Sequence, residues 1–233
     1  MVDAGDFSAD VALEAEVRNR WVLEGMLRMN YSAINIGELE VIPETDRWSE
    51  LGNAKLPFVS ANAIPGSESG LKIPPYVIQE VETAEGRTIR FGFLGLTDPA
   101  SDSLAIDFAD PVERAQALVG ELRRKCDVVV VLAQLPLPAA KDLARAVPGI
   151  DILVGAANDT HLSHPAFEGD TLISYPYPQG MMLGELRLFF DAESRATRFF
   201  YRLVPLSSRL PDHPDFIEFQ QKAEAEIIQA KSQ

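Results

Sequence analysis

Four side chains in this 233-residue chain carry the donor atoms needed to hold a hard cation: Asp6, Glu38, Gln134 and Asp159. Each follows an apolar, β-rich run, which puts it on the rim where the strands of an open α/β sheet end and where such sheets place their ligands. Three carboxylates and one amide oxygen suit Mg²⁺, Mn²⁺ or Ca²⁺ rather than zinc. No cofactor is expected beyond at most one such divalent ion, with Asp6, Glu38 and Asp159 as its acidic ligands. Simpler roles compete at every position. Asp6 can cap a helix beginning near Ser8, Glu38 and Glu40 can be solvated loop acids, Leu39 can be loop packing, and Gln134 can satisfy backbone groups at a strand end. His161 and His164, three residues apart, offer either imidazole ligands or exposed loop histidines, and His213, before a proline, carries no signal. No G-x-S-x-G elbow and no Walker-type glycine loop occurs, which sets aside serine-hydrolase and P-loop chemistry. Cys126 is the only cysteine, so no intrachain disulfide forms, and its apolar surroundings favour a packing residue over a nucleophile.

The chain carries 21 basic and 35 acidic residues, a net charge of −14. Such a surface repels phosphate backbones and anionic lipid and argues against nucleic-acid and membrane-surface binding. No apolar run reaches the length of a membrane span, and Met1 is not followed by a basic and then an apolar signal region, so no membrane insertion is expected. The expected partner is an unidentified protein or a small anionic ligand.

The rim residues need strands to position them. Short β-rich runs lie at Phe58 to Ile64, Tyr76 to Val81, Ile89 to Leu96, Val128 to Leu132 and Ile150 to Val154. The unbroken Val128-Val129-Val130-Val131-Leu132 suits a strand covered on both faces. Two helices precede or separate these runs: one from a Ser8 cap to about Met29, and one announced by Asp110-Pro111-Val112-Glu113, which combines an N-cap, a first-turn proline and an acid three residues on. The segment Ile64 to Pro75 is a loop. From Thr171 the pattern becomes strand after strand, with Leu186, Leu188 and Phe190 alternating against Glu185, Arg187 and Phe189; the last is apolar and blurs a one-sided reading. Residues Pro211 to Gln233 read as a terminal helix with a polar tail. One domain is expected over residues 1–210, followed by that helix and tail over 211–233.

Several of these segments, in this order, resemble the calcineurin-like metallophosphoesterases, specifically the 5′-nucleotidase and UDP-sugar hydrolase branch. Val2-Asp3-Ala4-Gly5-Asp6-Phe7 resembles the motif whose last Asp bridges two metals. Asn30 to Gly37 resembles the strand leading into the Gly-Asn-His-Glu loop, Leu56 to Asn62 the "fp-x-l-s-A-N" strand, and Arg90 to Thr97 the "k-i-g-v-i-G-l-t" strand. Asp127 to Gln134 and Val147 to Gly155 resemble the two strands that end in metal histidines. The resemblance implies an α/β fold of four layers, two mixed β-sheets flanked by helices.

It also implies a missing ligand set. Gly37-Glu38-Leu39-Glu40 stands where the branch has Gly-Asn-His-Glu, Gln134 stands at a histidine, and Ala156-Ala157-Asn158-Asp159 stands at Gly-His-x-His. Asp6, Glu38, Gln134, Ala157 and Asp159 are thus relic metal positions, and Leu39 replaces the catalytic histidine, so no catalytic residue is expected. The first motif and the C-terminal substrate domain of the branch are not found in the sequence. An upstream segment would allow a periplasmic or exported location. Two-metal hydrolysis needs ligands that fix both ions and neutralise the phosphoryl group; losing one positioned donor costs roughly 10²- to 10³-fold in rate. The expectation is a degenerate phosphoesterase-fold domain acting as a binding or interaction module. The alternative is a hydrolase of nucleotides or related phosphoesters that uses a rebuilt, carboxylate-rich site.

Overall fold

The computed structural model describes residues 1–9, 14–41, 54–64, 73–100, 104, 106–157 and 160–232. In chain order they form β1 (Val2–Asp3), α1 (Ala15–Arg28), β2 (Ala33–Asn35), a 3-10 turn (Leu39–Val41), β3 (Phe58–Val59), β4 (Ala63–Ile64), β5 (Tyr76–Glu82), β6 (Thr88–Thr97) and β7 (Asp107–Phe108). Then come α2 (Pro111–Lys125), β8 (Val128–Gln134), α3 (Leu137–Ala146), β9 (Ile152–Ala156), β10 (Ala166–Glu168), β11 (Thr171–Ser174), β12 (Met182–Phe190), β13 (Ala196–Pro205) and α4 (Pro214–Lys231).

Two sheets face each other. One is parallel, in the order β1-β2-β3, and the other has the order β10-β11-β9-β8-β6-β5, with its centre parallel and both edges antiparallel. The two-residue period of the strands sorts the core into three clusters. Val129, Val131 and Ala133 join Leu94, Leu96 and Leu153 against Ala115, Val119 and Leu122 of α2 and Ala140 and Leu143 of α3. The alternate residues Val128, Val130 and Leu132 turn the other way, to Ala33 and Val59 of the small sheet and to Leu186 and Leu188 of β12. Behind the small sheet, Ile34, Ile36 and Phe58 pack on Leu23 and Met26 of α1. Helix, sheet, sheet and helix therefore stack as four layers, because each sheet is apolar on both faces.

Local signals explain most boundaries. Asp110 caps α2 by accepting from the Glu113 N–H at 2.8 Å, with Pro111 at the first helical position. Helix α1 departs from expectation: it begins at Ala15 behind Glu14, which makes no side-chain cap bond, and Ser8 is buried and engaged elsewhere. The run Phe58 to Ile64 divides into two short strands in different sheets. The loop expected between Ile64 and Pro75 lies mostly outside the described residues. In β12, Phe189 is exposed, so that strand is one-sided despite its composition. The polar tail is helical as far as Lys231, and α4 docks on α1 through an edge-on contact between Phe219 and Trp21 (4.9 Å) and an ion pair between Lys231 and Glu14 (3.3 Å). His213 caps α4, its Nδ1 accepting from the Asp215 N–H at 3.3 Å. Among the described residues, no helix is long and apolar enough to cross a membrane.

Candidate functional site

The parallel strands β1, β2, β6, β8 and β9 bring their C-terminal ends to one rim. The register sets Thr97, Gln134 and Ala156 side by side on β6, β8 and β9. Opposite them, the loops after β1 and β2 cross at two glycines. A Cβ on Gly5, whose φ is +108°, would stand 3.0 Å from Gly37 Cα, and a Cβ on Gly37 would collide with the Asp6 backbone and carboxylate. The next residue, Asp6, also has positive φ (60°). The chain thus turns sharply and points the Asp6 carboxylate at the rim.

Asp6 is fully engaged there. Its Oδ1 accepts from the Leu39 N–H at 3.0 Å, and its Oδ2 accepts from Gln134 Nε2 at 2.9 Å. The amide must be oriented this way, because an ionised carboxylate only accepts, and turning Oε1 towards it would oppose two acceptors. Gln134 Oε1 is left buried without a partner. Burial raises the Asp6 pKa; the Leu39 N–H opposes that shift, and the neighbouring Glu38 charge adds to it.

Glu40 holds the two loops together. Its carboxylate is completely buried and accepts three backbone N–H groups at 2.9 Å each: Asp6 and Gly37 on Oε2, and Ser8 on Oε1. Burial pushes its pKa up to about 7 and the Asp6 charge adds to this, while the Ser8 and Gly37 N–H groups pull the other way. Burial likewise raises Asp3 to about 6 against the Gly5 N–H, which its Oδ1 accepts at 2.9 Å. Beneath the loops, the buried Asn35 gives Nδ2 to Ala4 O, Leu96 O and Thr97 Oγ1, each at 3.0 Å, tying β1 and β2 to β6. Asn62 accepts from the Thr97 N–H at 3.0 Å and donates to Ala109 O at 2.8 Å.

Several expectations change. Asp6 does not cap α1, whose N-cap is Glu14, and Gln134 serves the Asp6 side chain rather than backbone groups. Glu40 is not a solvated acid; it is the most buried carboxylate of the rim. Glu38 turns away and accepts the Ala100 N–H at 3.0 Å. Leu39 contributes its N–H, and Ala157 packs against the helix-side core. Asp159, with Asn158, lies outside the described residues. His161 and His164 are exposed, His161 lying 3.8 Å from the Tyr177 ring. Cys126 is buried. Among the described residues, no three His, Cys, Asp or Glu side chains are grouped so as to hold a metal ion. Reading by sequence missed Glu40, Asn35 and Thr97. The signal available was a polar residue interrupting the apolar β2 run, Ala33-Ile34-Asn35-Ile36.

The four-layer architecture and the crossed loops of this rim define a class: the chain has the calcineurin-like metallophosphoesterase fold, in the form shared by 5′-nucleotidases. Among solved structures, it superposes on the sulfate thiohydrolase SoxB of Thermus thermophilus with a TM-score of 0.79 at 20% identity, covering 97% of this chain and 42% of that one. A 5′-nucleotidase precursor from Thermus thermophilus gives a TM-score of 0.77 at 25% identity, covering 98% and 48%. Among curated proteins, a 2′,3′-cyclic-nucleotide 2′-phosphodiesterase/3′-nucleotidase of Salmonella typhimurium is 28% identical over 155 residues, 57% of this chain and 24% of that protein. The chain therefore spans about a quarter of its curated relative's length and under half that of these two solved neighbours. No family model matches the chain.

Proposed function

We propose that this chain is a phosphoesterase-fold domain that has given up two-metal hydrolysis and works as a binding or interaction module, its partner being a protein or a small anionic ligand. The observation that carries this reading is the state of Asp6. Both of its oxygens accept protein hydrogen bonds, one of them from Gln134 at a position where the resemblance puts a metal histidine. A direct amide-to-carboxylate bond takes the place of a metal-mediated one. Glu38 is turned to a backbone N–H, so the residues present do not fit a two-metal centre. Leu39 offers a side chain with neither proton nor charge for a leaving oxygen.

A second reading, a single-ion hydrolase of nucleotides or related phosphoesters, draws on one observation: Gln134 Oε1 is buried without a partner and is free to accept. One experiment separates the two. The purified chain is assayed against nucleotides and an aryl phosphate with Mg²⁺, Mn²⁺ and Ca²⁺, alongside isothermal titration of each ion. The module reading expects no metal-dependent turnover and no stoichiometric ion binding. Metal-dependent hydrolysis that Asp6→Asn abolishes would replace it with the single-ion reading.

A further inference from the structure

The rim leaves the β12–β13 hairpin unused, and among the described residues this hairpin carries three exposed phenylalanines, Phe189, Phe199 and Phe200. Strand β13 pairs with β12 along its length and with no other strand among the described residues. Seven of its ten residues are exposed, with Phe199 at 42% and Phe200 at 46%. Phe167 on β10, itself 54% exposed, lies 5.6 Å from the Phe199 ring and widens the apolar strip. A long open edge of this kind is normally blocked by charges, prolines or bulges. Here the charges fold back onto their own hairpin: Arg202 bonds Glu185 at 2.5 Å, and Arg198 lies 5.3 Å over the Phe189 ring. The register shift between Phe189 and Phe190 of β12 leaves Thr197 of β13 as the extra residue, so the bulge and the proline stand at the two ends of β13 and residues 198–204 between them pair without a break.

We propose that a second copy of this chain pairs along this edge, β13 against β13, antiparallel about a twofold axis. Opposed residues of an antiparallel pair share a face, so a self-pairing register can be tested residue by residue. Centred on Phe200, the pairing opposes Arg198 to Arg202 and is repulsive. Centred on Tyr201, it sets Phe200 against Arg202 of the second copy on one face, and Phe199 against Leu203 of the second copy on the other. Each contact then occurs twice, as an isologous interface requires, and each Phe200–Arg202 pair adds a cation–π contact to the strand hydrogen bonds. Charge selects the same place. Residues 182–205 hold four arginines and three acids, whereas the rest of the chain holds seventeen basic and thirty-two acidic residues. Two copies therefore meet less repulsion at this hairpin than the charge of the chain as a whole would impose.

The test is the mass of the full chain in solution, by light scattering and sedimentation, as concentration rises. The mass is expected to climb from 25.6 kDa towards twice that value, and Phe199→Glu and Phe200→Glu to weaken association by about tenfold or more, which is about 1.4 kcal/mol. Hydrogen exchange of wild-type chain supplies a readout that needs no variant: the amides of residues 196–204 that point away from β12 slow as the dimer forms. A mass of 25.6 kDa at every concentration overturns the proposal. So does a dimer in which those amides exchange as in the monomer.

Discussion

Strand β8 is two regions in seven residues. Val128 to Ala133 alternate between two apolar clusters, while Gln134, one step further, leaves the core and bonds the Asp6 carboxylate. The first region depends on a property shared by many side chains, apolar surface in a two-residue rhythm, and tolerates exchange among Val, Leu and Ile at small cost. The second depends on individual atoms: one amide, two carboxylates and two glycines whose missing Cβ atoms let the loops cross. A scaffold can therefore persist while its rim is rebuilt, and energies measured on the two sides should differ in kind as well as in size.

The largest effect should fall in the core. Leu132 is completely buried between the two sheets, and Leu132→Ala should cost about 2–5 kcal/mol in denaturant unfolding, through lost transfer energy and the cavity left behind. A loss below about 1 kcal/mol would mean that the two sheets are not packed against each other there.

Next comes the response of the rim to pH. Glu40 and Asp3, pushed up to about 7 and about 6, hold their protons more tightly in the fold than in the unfolded chain. The stability this gives is fully present below about pH 4 and is lost as pH rises through 6 to 7, on the order of 3 kcal/mol for Glu40. Unfolding free energy should therefore fall between pH 5 and pH 8, a slope that apolar core residues cannot generate. Glu40→Gln should flatten that slope and cost about 1–3 kcal/mol at pH 5, because its oxygen can serve the Asp6 and Gly37 N–H groups while its amide nitrogen faces the Ser8 N–H, which then lacks an acceptor. An unchanged slope in the variant would remove Glu40 as its source.

The same contrast explains what was legible in the sequence. The two faces of β8 and the cap of α2 are written in local runs: four consecutive valines for the one, Asp110-Pro111 and Glu113 for the other. The rim residues were placed through the resemblance, yet their roles were not legible, because those roles are set by partners far away in sequence. Glu40 reads as a loop acid until Asp6, Ser8 and Gly37 converge on it, and Gln134 reaches Asp6 across 128 positions. Ser8 does not cap α1 for the same reason: its hydroxyl, like its N–H, is bonded to Glu40, and the helix begins only at Ala15.

A smaller effect tests whether the rim is a hydrogen-bonded closure or a cation site. Gln134→Glu replaces the donor to Asp6 with a second carboxylate. In a hydrogen-bonded closure, the two acids repel and raise each other's pKa, so stability at pH 7 should fall by about 1–2 kcal/mol and recover as the pH is lowered. If a divalent ion belongs there, the added ligand should instead make stability rise with millimolar Mg²⁺ or Mn²⁺. Thermal melts with and without each ion distinguish the two.

The smallest change is the most discriminating. Asp6 is a carboxylate whose charge is disfavoured by burial and by Glu38, and it sits at φ 60°, where Asn is among the best tolerated of the non-glycine residues. Asp6→Asn removes the charge, keeps an oxygen to accept from the Leu39 N–H, and relaxes the backbone. It forfeits the charge-assisted bond from Gln134, so the terms nearly cancel, and stability at pH 7 should stay within about 0.5 kcal/mol of the parent chain. In a cation-dependent hydrolase the same substitution would strip a bridging ligand and abolish activity. A variant that melts with the parent and binds the same partners therefore identifies Asp6 as part of the scaffold, whereas one that loses partner binding while keeping its stability makes the rim itself the recognition surface.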